Sequence, residues 1–399
     1  MIASIAMPRL MRIGAGASAE LGNILSQLGL SRPLIMTDRH LVEIGKLDKL
    51  LSTLDRTKFS ARVFSDVVLD PTVASIEVGV EYLKAGNHDC VVGFGGGSSM
   101  DTAKAVAVLS AHGGPMSKYK APHMQDVPGL PIIAIPTTAG TGSEATRFTI
   151  ISDEKTNEKM LCIGLGFLPT ASLVDYEQSF TMPKDLTAAT GLDALCHALE
   201  GYVSKKSHPF SQNIAFQAMR AIAPNLRRAY ADPNDRFARE AVMLGATLAG
   251  LAFSNSSVAL IHGMARPIGA FFHVPHGLSI AMLMPAVIEF TAPADLVLFA
   301  GAARAMGLAD DNESCESAVS KLISEFIAFN QDLKVPTPKS HGINPERWTQ
   351  LLPTMAEQSI ASGSPANNPR PASKEEMVQL YKAAWAGEET RKLYKQAGA

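Results

Sequence analysis

Apolar residues in the first half of the chain fall into short unbroken runs. Pro33–Thr37, Cys90–Phe94 and Leu130–Pro136 are β-type stretches a few residues long, and each predicts a strand buried on both faces. Helical patterns lie between them. Strands separated by helices predict βαβ units and a parallel sheet. The pattern changes near Phe180-Thr-Met-Pro183. Beyond it, apolar positions recur at helical spacing in long segments rich in Ala, Leu, Met and Glu. Examples are Ser211–Ala223, which Pro224 is expected to stop, and Phe237–Ala252. Pro183 suits a helix start or a linker. The expected organisation is an α/β domain over residues 1–182 and an all-helical domain over 183–399. No internal repeat is visible. Ser362–Ser373 reads as a turn-rich loop before a last helix, roughly Lys374–Ala386.

Composition narrows the class. With 46% hydrophobic and 19% charged residues, the chain reads as a folded protein. A formal net charge of -2 gives no electrostatic grip on nucleic acid or an anionic membrane. The four cysteines, Cys90, Cys162, Cys196 and Cys315, are widely spaced and form no CxxC, so they read as small buried hydrophobes in a reducing compartment. The N-terminus lacks a basic region followed by a full apolar stretch, and no uninterrupted apolar run reaches membrane length. The expected location is cytoplasmic.

Two glycine-rich turns carry candidate chemistry. Val92-Gly-Phe-Gly-Gly-Gly-Ser-Ser-Met-Asp-Thr-Ala-Lys104 stands where a strand should end and a helix begin. Glycines allow close backbone approach to a phosphate, and the N–H groups of a helix start bind the anion. Ser98 and Ser99 add hydroxyl donors, and Asp101 falls in the first helical turn, where a carboxylate is favoured. The turn is not a Walker A loop. Against the dinucleotide fingerprint, Gly93 and Gly95 fit while Ser98 stands at the third glycine position, so a purely structural tight turn remains the competing reading. Pro136-Thr-Thr-Ala-Gly-Thr-Gly-Ser-Glu-Ala-Thr146 follows the next strand and suits a ligand crevice at the carboxyl edge of a sheet, or a plain connecting loop. Asp38 ends the first βα unit. It suits a hydrogen bond to an adenosine ribose, which favours NAD over NADP, and equally a helix cap before His40.

The second half holds a metal-type pattern. In Gly191-Leu-Asp-Ala-Leu-Cys-His-Ala-Leu-Glu200, Asp193 and His197 lie one helical turn apart and share a face. Ile261–Gly277 adds His262, His273 and His276. One Asp with two or three His is an O/N ligand set that suits Zn and Fe alike.

Taken together, these segments resemble the iron-containing (group III) alcohol dehydrogenase family. The resemblance runs from Met36-Thr-Asp38 to Asn368-Pro-Arg-Pro371. It is carried best by Gly95–Lys104, Pro136–Glu144, Gly191–His197 and Pro275-His-Gly277. It implies a Rossmann-like nucleotide-binding α/β domain followed by an all-α metal-binding domain, the dehydroquinate synthase-like architecture, with at least a homodimer. It implies NAD and a divalent metal, usually Fe2+ with Zn2+ possible, held by Asp193, His197, His262 and His276. The cofactor pyrophosphate would lie on Gly96, Gly97 and Ser98. Thr137, Thr138 and Thr141 would line the nicotinamide side, Lys159 would reach the ribose region, and Phe253 would stand beside the substrate.

Two departures from the family pattern stand out. Arg266 occupies a position where a second His is common, and Asp70 one where Asn is frequent. A fixed cation at 266 could orient an anionic substrate, bind cofactor phosphates or form an internal salt bridge. The implied activity is hydride transfer between nicotinamide and a small aliphatic alcohol or aldehyde. The alternative is a reductase specialised for an anionic aldehyde (semialdehyde, sulfo- or phosphono-aldehyde) through Arg266. His273, or a ribose hydroxyl with water, would relay the proton. A dehydroquinate synthase-like lyase would want more Lys and Arg near the ligands. A metal-independent maleylacetate-type reductase would lack the full ligand set, and so would a non-catalytic nucleotide-binding protein.

Overall fold

The computed structural model describes residues 2–156, 158–385 and 387. The chain divides into two compact units, Met1–Thr181 and Met182–Ala399. The first is built from β1 (Leu10–Ile13), α1 (Leu21–Leu28), β2 (Pro33–Met36), α2 (Arg39–Glu43), α3 (Lys46–Leu51), β3 (Arg62–Phe64), α4 (Val73–Lys84), β4 (Cys90–Gly95), α5 (Gly97–His112), β5 (Ile132–Pro136), β6 (Phe148–Asp153), β7 (Glu158–Ile163) and β8 (Ala171–Val174). Six of these strands form a parallel sheet in the order β1-β8-β5-β4-β2-β3.

The three sequence-predicted strands are β2, β4 and β5, and they lie side by side in the middle of the sheet. Their side chains alternate between two cores. Leu34, Met36, Val91 and Ile132 pack on one face, and Ile35, Val92, Phe94, Ile133 and Ile135 on the other. A strand buried on both faces shows no polar alternation, which is why these read as continuous apolar runs. Strand order reverses at β2 and β4: the chain goes outward from β2 to β3, then returns to β4 on the other side. Open α/β sheets bind ligands beyond the strand ends at such a point. Asp38 follows β2 there, and Gly96 follows β4.

The antiparallel hairpin β6–β7 was not foreseen. Its strands are half-buried and short, and they follow the polar Thr-rich loop without a helix between.

A buried lysine, also unforeseen, ties this hairpin to the sheet. Lys104 on α5 donates to Ser143 Oγ (2.9 Å), Thr146 O (3.0 Å), Thr146 Oγ1 (3.1 Å) and Phe148 O (2.8 Å). Burial lowers its pKa to about 8, against the raising effect of Asp101 and Glu144. Lys104→Met keeps the stem and strands four acceptors. It should lower stability by about 3 kcal/mol, within the range for breaking a buried charged network. Thermal and urea unfolding of the full chain would measure this. A change below about 0.5 kcal/mol would contradict the assignment of Lys104 as a tether.

The second unit contains α6 (Lys184–Val203), α7 (Pro209–Ala231), α8 (Arg236–Ser254), α9 (Leu260–Phe272), α10 (His276–Thr291), α11 (Leu296–Ala305), α12 (Cys315–Asp332), α13 (Pro345–Ala361) and α14 (Lys374–Trp385). Residue 386, the expected end of the last helix, lies outside the described residues. Pro224 does not stop a helix, contrary to expectation: α7 continues through it to Ala231. A proline costs an interior helix roughly 3 kcal/mol. Here Met219, Ile222, Leu226 and Ala229 are buried on both sides of it, and that packing outweighs the cost. By length and composition alone, Arg236–Ser254 and His276–Ala294 are apolar enough to cross a membrane, but 72% of each window is buried within the fold.

Candidate metal centre and nucleotide loops

Helix α6 carries three ionisable side chains on one face, at i, i+4 and i+7: Asp193, His197 and Glu200. All three are buried. Helix α9 brings His262, and the first residue of α10 brings His276. Gly277 allows that approach, since a Cβ there would meet the Ala189 carbonyl oxygen of α6 at 2.5 Å.

Three imidazoles point Nε2 at one oxygen. The distances to Asp193 Oδ1 are 3.9 Å from His197, 3.5 Å from His262 and 3.9 Å from His276. Donor atoms of Asp193, His262 and His276 all lie within 4.8 Å of one another. His197 is not in that group, and neither is His273. The latter is exposed and ends α9 in a left-handed conformation, with φ 56°.

Neither Asp193 Oδ1 nor His262 Nε2 makes a hydrogen bond among the described residues, although both are buried. A buried carboxylate oxygen and a buried imidazole nitrogen in that state are costly unless a cation lies between them. The residues therefore fit a divalent ion. Electrostatics agree. Burial pushes the Asp193 carboxyl up, but His197, His276 and His262 outweigh it and hold it well below the usual carboxylate range. Burial lowers the proton affinity of His262, while Glu200 and Asp193 raise it to a pKa of about 9. A field that attracts a proton this strongly attracts a metal cation in the same way.

Glu200 was missed as a functional residue, although it closes the quoted stretch. Its Oε2 lies 2.6 Å from His262 Nδ1 and accepts from the Ala259 N–H at 2.8 Å, while Oε1 accepts from the Ile261 N–H at 2.6 Å. A carboxylate on Nδ1–H fixes the ring and leaves Nε2 bare, the arrangement found behind metal-bound histidines. The i+7 spacing from Asp193 was the available signal. Cys196, Glu200 and His262 make a second cluster of donor atoms, with Cys196 Sγ 3.8 Å from His262 Nδ1. There Nδ1 is already taken by Glu200, and burial, with Glu200 and Asp193, pushes the thiol well above its ordinary range.

Phe253 on α8 stacks flat on His197, centroids 4.3 Å apart and 15° between planes, and His197 stacks on His262 at 4.4 Å. The phenyl ring expected beside the substrate backs the His197 imidazole. Arg266 lies one turn beyond His262 on α9 and is half-buried. Burial lowers its pKa, and the charge of Glu200 opposes that.

In the first unit, β4 and β5 end in register, Gly95 opposite Pro136, so their two loops leave the sheet side by side. Gly96 faces Thr138, and a Cβ on Gly97 would meet Thr141 Cγ2 at 2.9 Å. Any larger residue at 97 would have to push the Thr141 side chain aside. The buried Thr137 donates its N–H to Gly95 O at 2.9 Å. The structure thus gathers Gly96, Gly97, Ser98, Thr137, Thr138 and Thr141 at the helix start of α5.

Three other expected cofactor residues are engaged differently. Asp38 caps α2, accepting from the Leu41 N–H at 3.0 Å. Asp101 turns inward: Oδ1 accepts from Ser143 Oγ at 2.7 Å and Oδ2 from the Ile150 N–H at 2.9 Å. Burial raises its pKa while Lys104 lowers it. Lys159 is held by Asp70, 3.0 Å from Nζ to Oδ2.

Comparison with known proteins supplies the lineage. Residues 8–176 match the family model "Iron-containing alcohol dehydrogenase", and residues 187–385 match "Fe-containing alcohol dehydrogenase family, C-terminal". The lactaldehyde reductase of Escherichia coli (strain K12) is 33% identical over 384 residues, covering 93% of this chain and 97% of the relative. The NAD-dependent methanol dehydrogenase of Bacillus methanolicus is 34% identical over 372 residues, covering 93% and 97%. A solved 1,3-propanediol oxidoreductase superposes with a TM-score of 0.92 at 31% identity, covering 96% of this chain and 100% of that one. With both units matched and relatives aligned over nearly its full length, the chain belongs to the iron-containing alcohol dehydrogenase family.

Proposed function

We propose that this chain transfers hydride between NAD(H) and a small aliphatic alcohol or aldehyde, with Asp193, His197, His262 and His276 holding one Fe2+ ion. The observation that carries the reading is the convergence of three Nε2 atoms on Asp193 Oδ1 at 3.5–3.9 Å. A divalent ion in that set supplies Lewis-acid polarisation of an alcohol or carbonyl oxygen. Zn2+ fits the same donors.

The chain's own residues do the rest. Asp193 supplies the negative charge that offsets the cation. Glu200 keeps a proton on His262 Nδ1, so that Nε2 stays a lone-pair donor. Phe253 and the stacked rings hold His197 in plane and keep water from that side. The N–H groups at the start of α5, with Ser98, bind the cofactor diphosphate, and the threonine loop shapes its nicotinamide side.

The three relatives named above take their names from lactaldehyde, methanol and 1,3-propanediol, which are neutral. They do not favour specialisation for an anionic aldehyde through Arg266, nor a lyase. The reading includes a cytoplasmic homodimer or higher homo-oligomer, carried by the family; light scattering on the purified chain tests the oligomer.

Anaerobic reconstitution of the metal-free protein with Fe2+ or Zn2+, followed by NADH oxidation with propanal, butanal and lactaldehyde, tests the activity. Metal-stimulated turnover that a chelator abolishes is expected. Absence of such turnover on every aldehyde would contradict the reading.

A further inference from the structure

Asp70 sits between β3 and α4 with φ 52°, in the left-handed region that non-glycine residues seldom adopt. Its N–H donates to Ser98 Oγ at 3.3 Å, so it borders the glycine-rich turn directly. Its carboxylate binds the Lys159 ammonium at 3.0 Å. Backbone structure holds the two together. Lys159 pairs with Ser152 in the β6–β7 hairpin, and Ser152 donates its N–H to Pro71 O at 2.8 Å, the residue after Asp70. Lys159 is the more buried partner, with 19% of its side chain exposed against 60% for Asp70.

We infer that Asp70 is an affinity-setting residue for the dinucleotide: its carboxylate occupies Lys159, and the cofactor must compete with it for that cation. The inference rests on the nucleotide reading of the Gly96–Ser98 turn. A diphosphate at that turn lies next to Ser98, and therefore next to Asp70. Lys159 is held beside that turn through Asp70, and Asp70 already answers its charge. That competition weakens binding, and a weaker grip favours release of the spent cofactor. The ligand class is any nucleotide with a diphosphate; a nucleoside without phosphate is indifferent to Asp70.

The left-handed backbone makes the test clean, because asparagine tolerates that conformation as well as aspartate does. NADH, ADP and adenosine would be titrated onto the iron-loaded full chain by fluorescence or calorimetry, comparing wild type, Asp70→Asn and Asp70→Asn/Lys159→Gln. The expected result is about a fivefold tighter Kd for NADH and ADP in Asp70→Asn, the scale of one partly exposed ion pair. Adenosine should not change, and the gain should vanish in the double variant. An unchanged Kd in Asp70→Asn, or a gain that survives loss of Lys159, would overturn the inference while leaving the cofactor reading intact. Failure of wild type to bind NADH at all would overturn both.

Discussion

Asp193→Ala should abolish metal binding and lower turnover by about a thousandfold, with the fold retained. Lewis-acid polarisation contributes several kcal/mol to such a barrier, and each 1.4 kcal/mol is a factor of ten. Asp193 is the anion on which three imidazoles converge, and its Oδ1 makes no hydrogen bond among the described residues. Removing it leaves three neutral-ligand positions with nothing to balance a dication. The loss should therefore appear first in metal content, measured by elemental analysis after gel filtration, and circular dichroism should be unchanged. Wild-type metal content and turnover in Asp193→Ala would remove the carboxylate from the centre.

Glu200→Ala should be the most destabilising single change at the centre, by about 3–5 kcal/mol, and should also weaken metal retention about 10–100-fold. The carboxylate satisfies two backbone N–H groups at the start of α9 and the Nδ1 of His262, all in a buried site. Deleting it leaves three buried donors unmet and lets the His262 ring choose its tautomer. Glu200→Gln keeps the shape but faces one backbone donor with an amide NH2, so it should fall between wild type and alanine on both readouts. The split is diagnostic. A residue that merely capped α9 would lower the melting temperature in Glu200→Ala and leave the metal affinity of the folded protein untouched.

What the sequence made legible, and what it hid, follows from the range of the interactions. β2, β4 and β5 showed as apolar runs because burial on both faces removes any polar alternation. Asp193 and His197 share a helix face by local geometry, and the family resemblance singled out Pro275-His-Gly277. The rest depends on tertiary partners. Lys159 and Asp70 lie far apart in sequence, so their pairing has no local signature. Asp101 looked like a helix-start carboxylate for a ligand, yet Ser143 and Ile150 claim both its oxygens. His273 lies three residues before His276 in sequence, yet it stands outside the donor group and ends α9. Pro224 broke a local rule that packing on both sides overrode. Glu200 was hidden in plain view. Its i+7 spacing is as regular as that of His197, but its partner, His262, arrives from another helix and leaves no local signal.

The most direct test of the whole account is an anaerobic crystal of the iron-loaded protein, with diffraction collected at the iron absorption edge. The account predicts one anomalous peak per chain, about 2 Å from Asp193 Oδ1 and from the Nε2 atoms of His197, His262 and His276. A peak on Cys196 and Glu200 instead, or no peak in a protein that still oxidises NADH with an aldehyde, would contradict it.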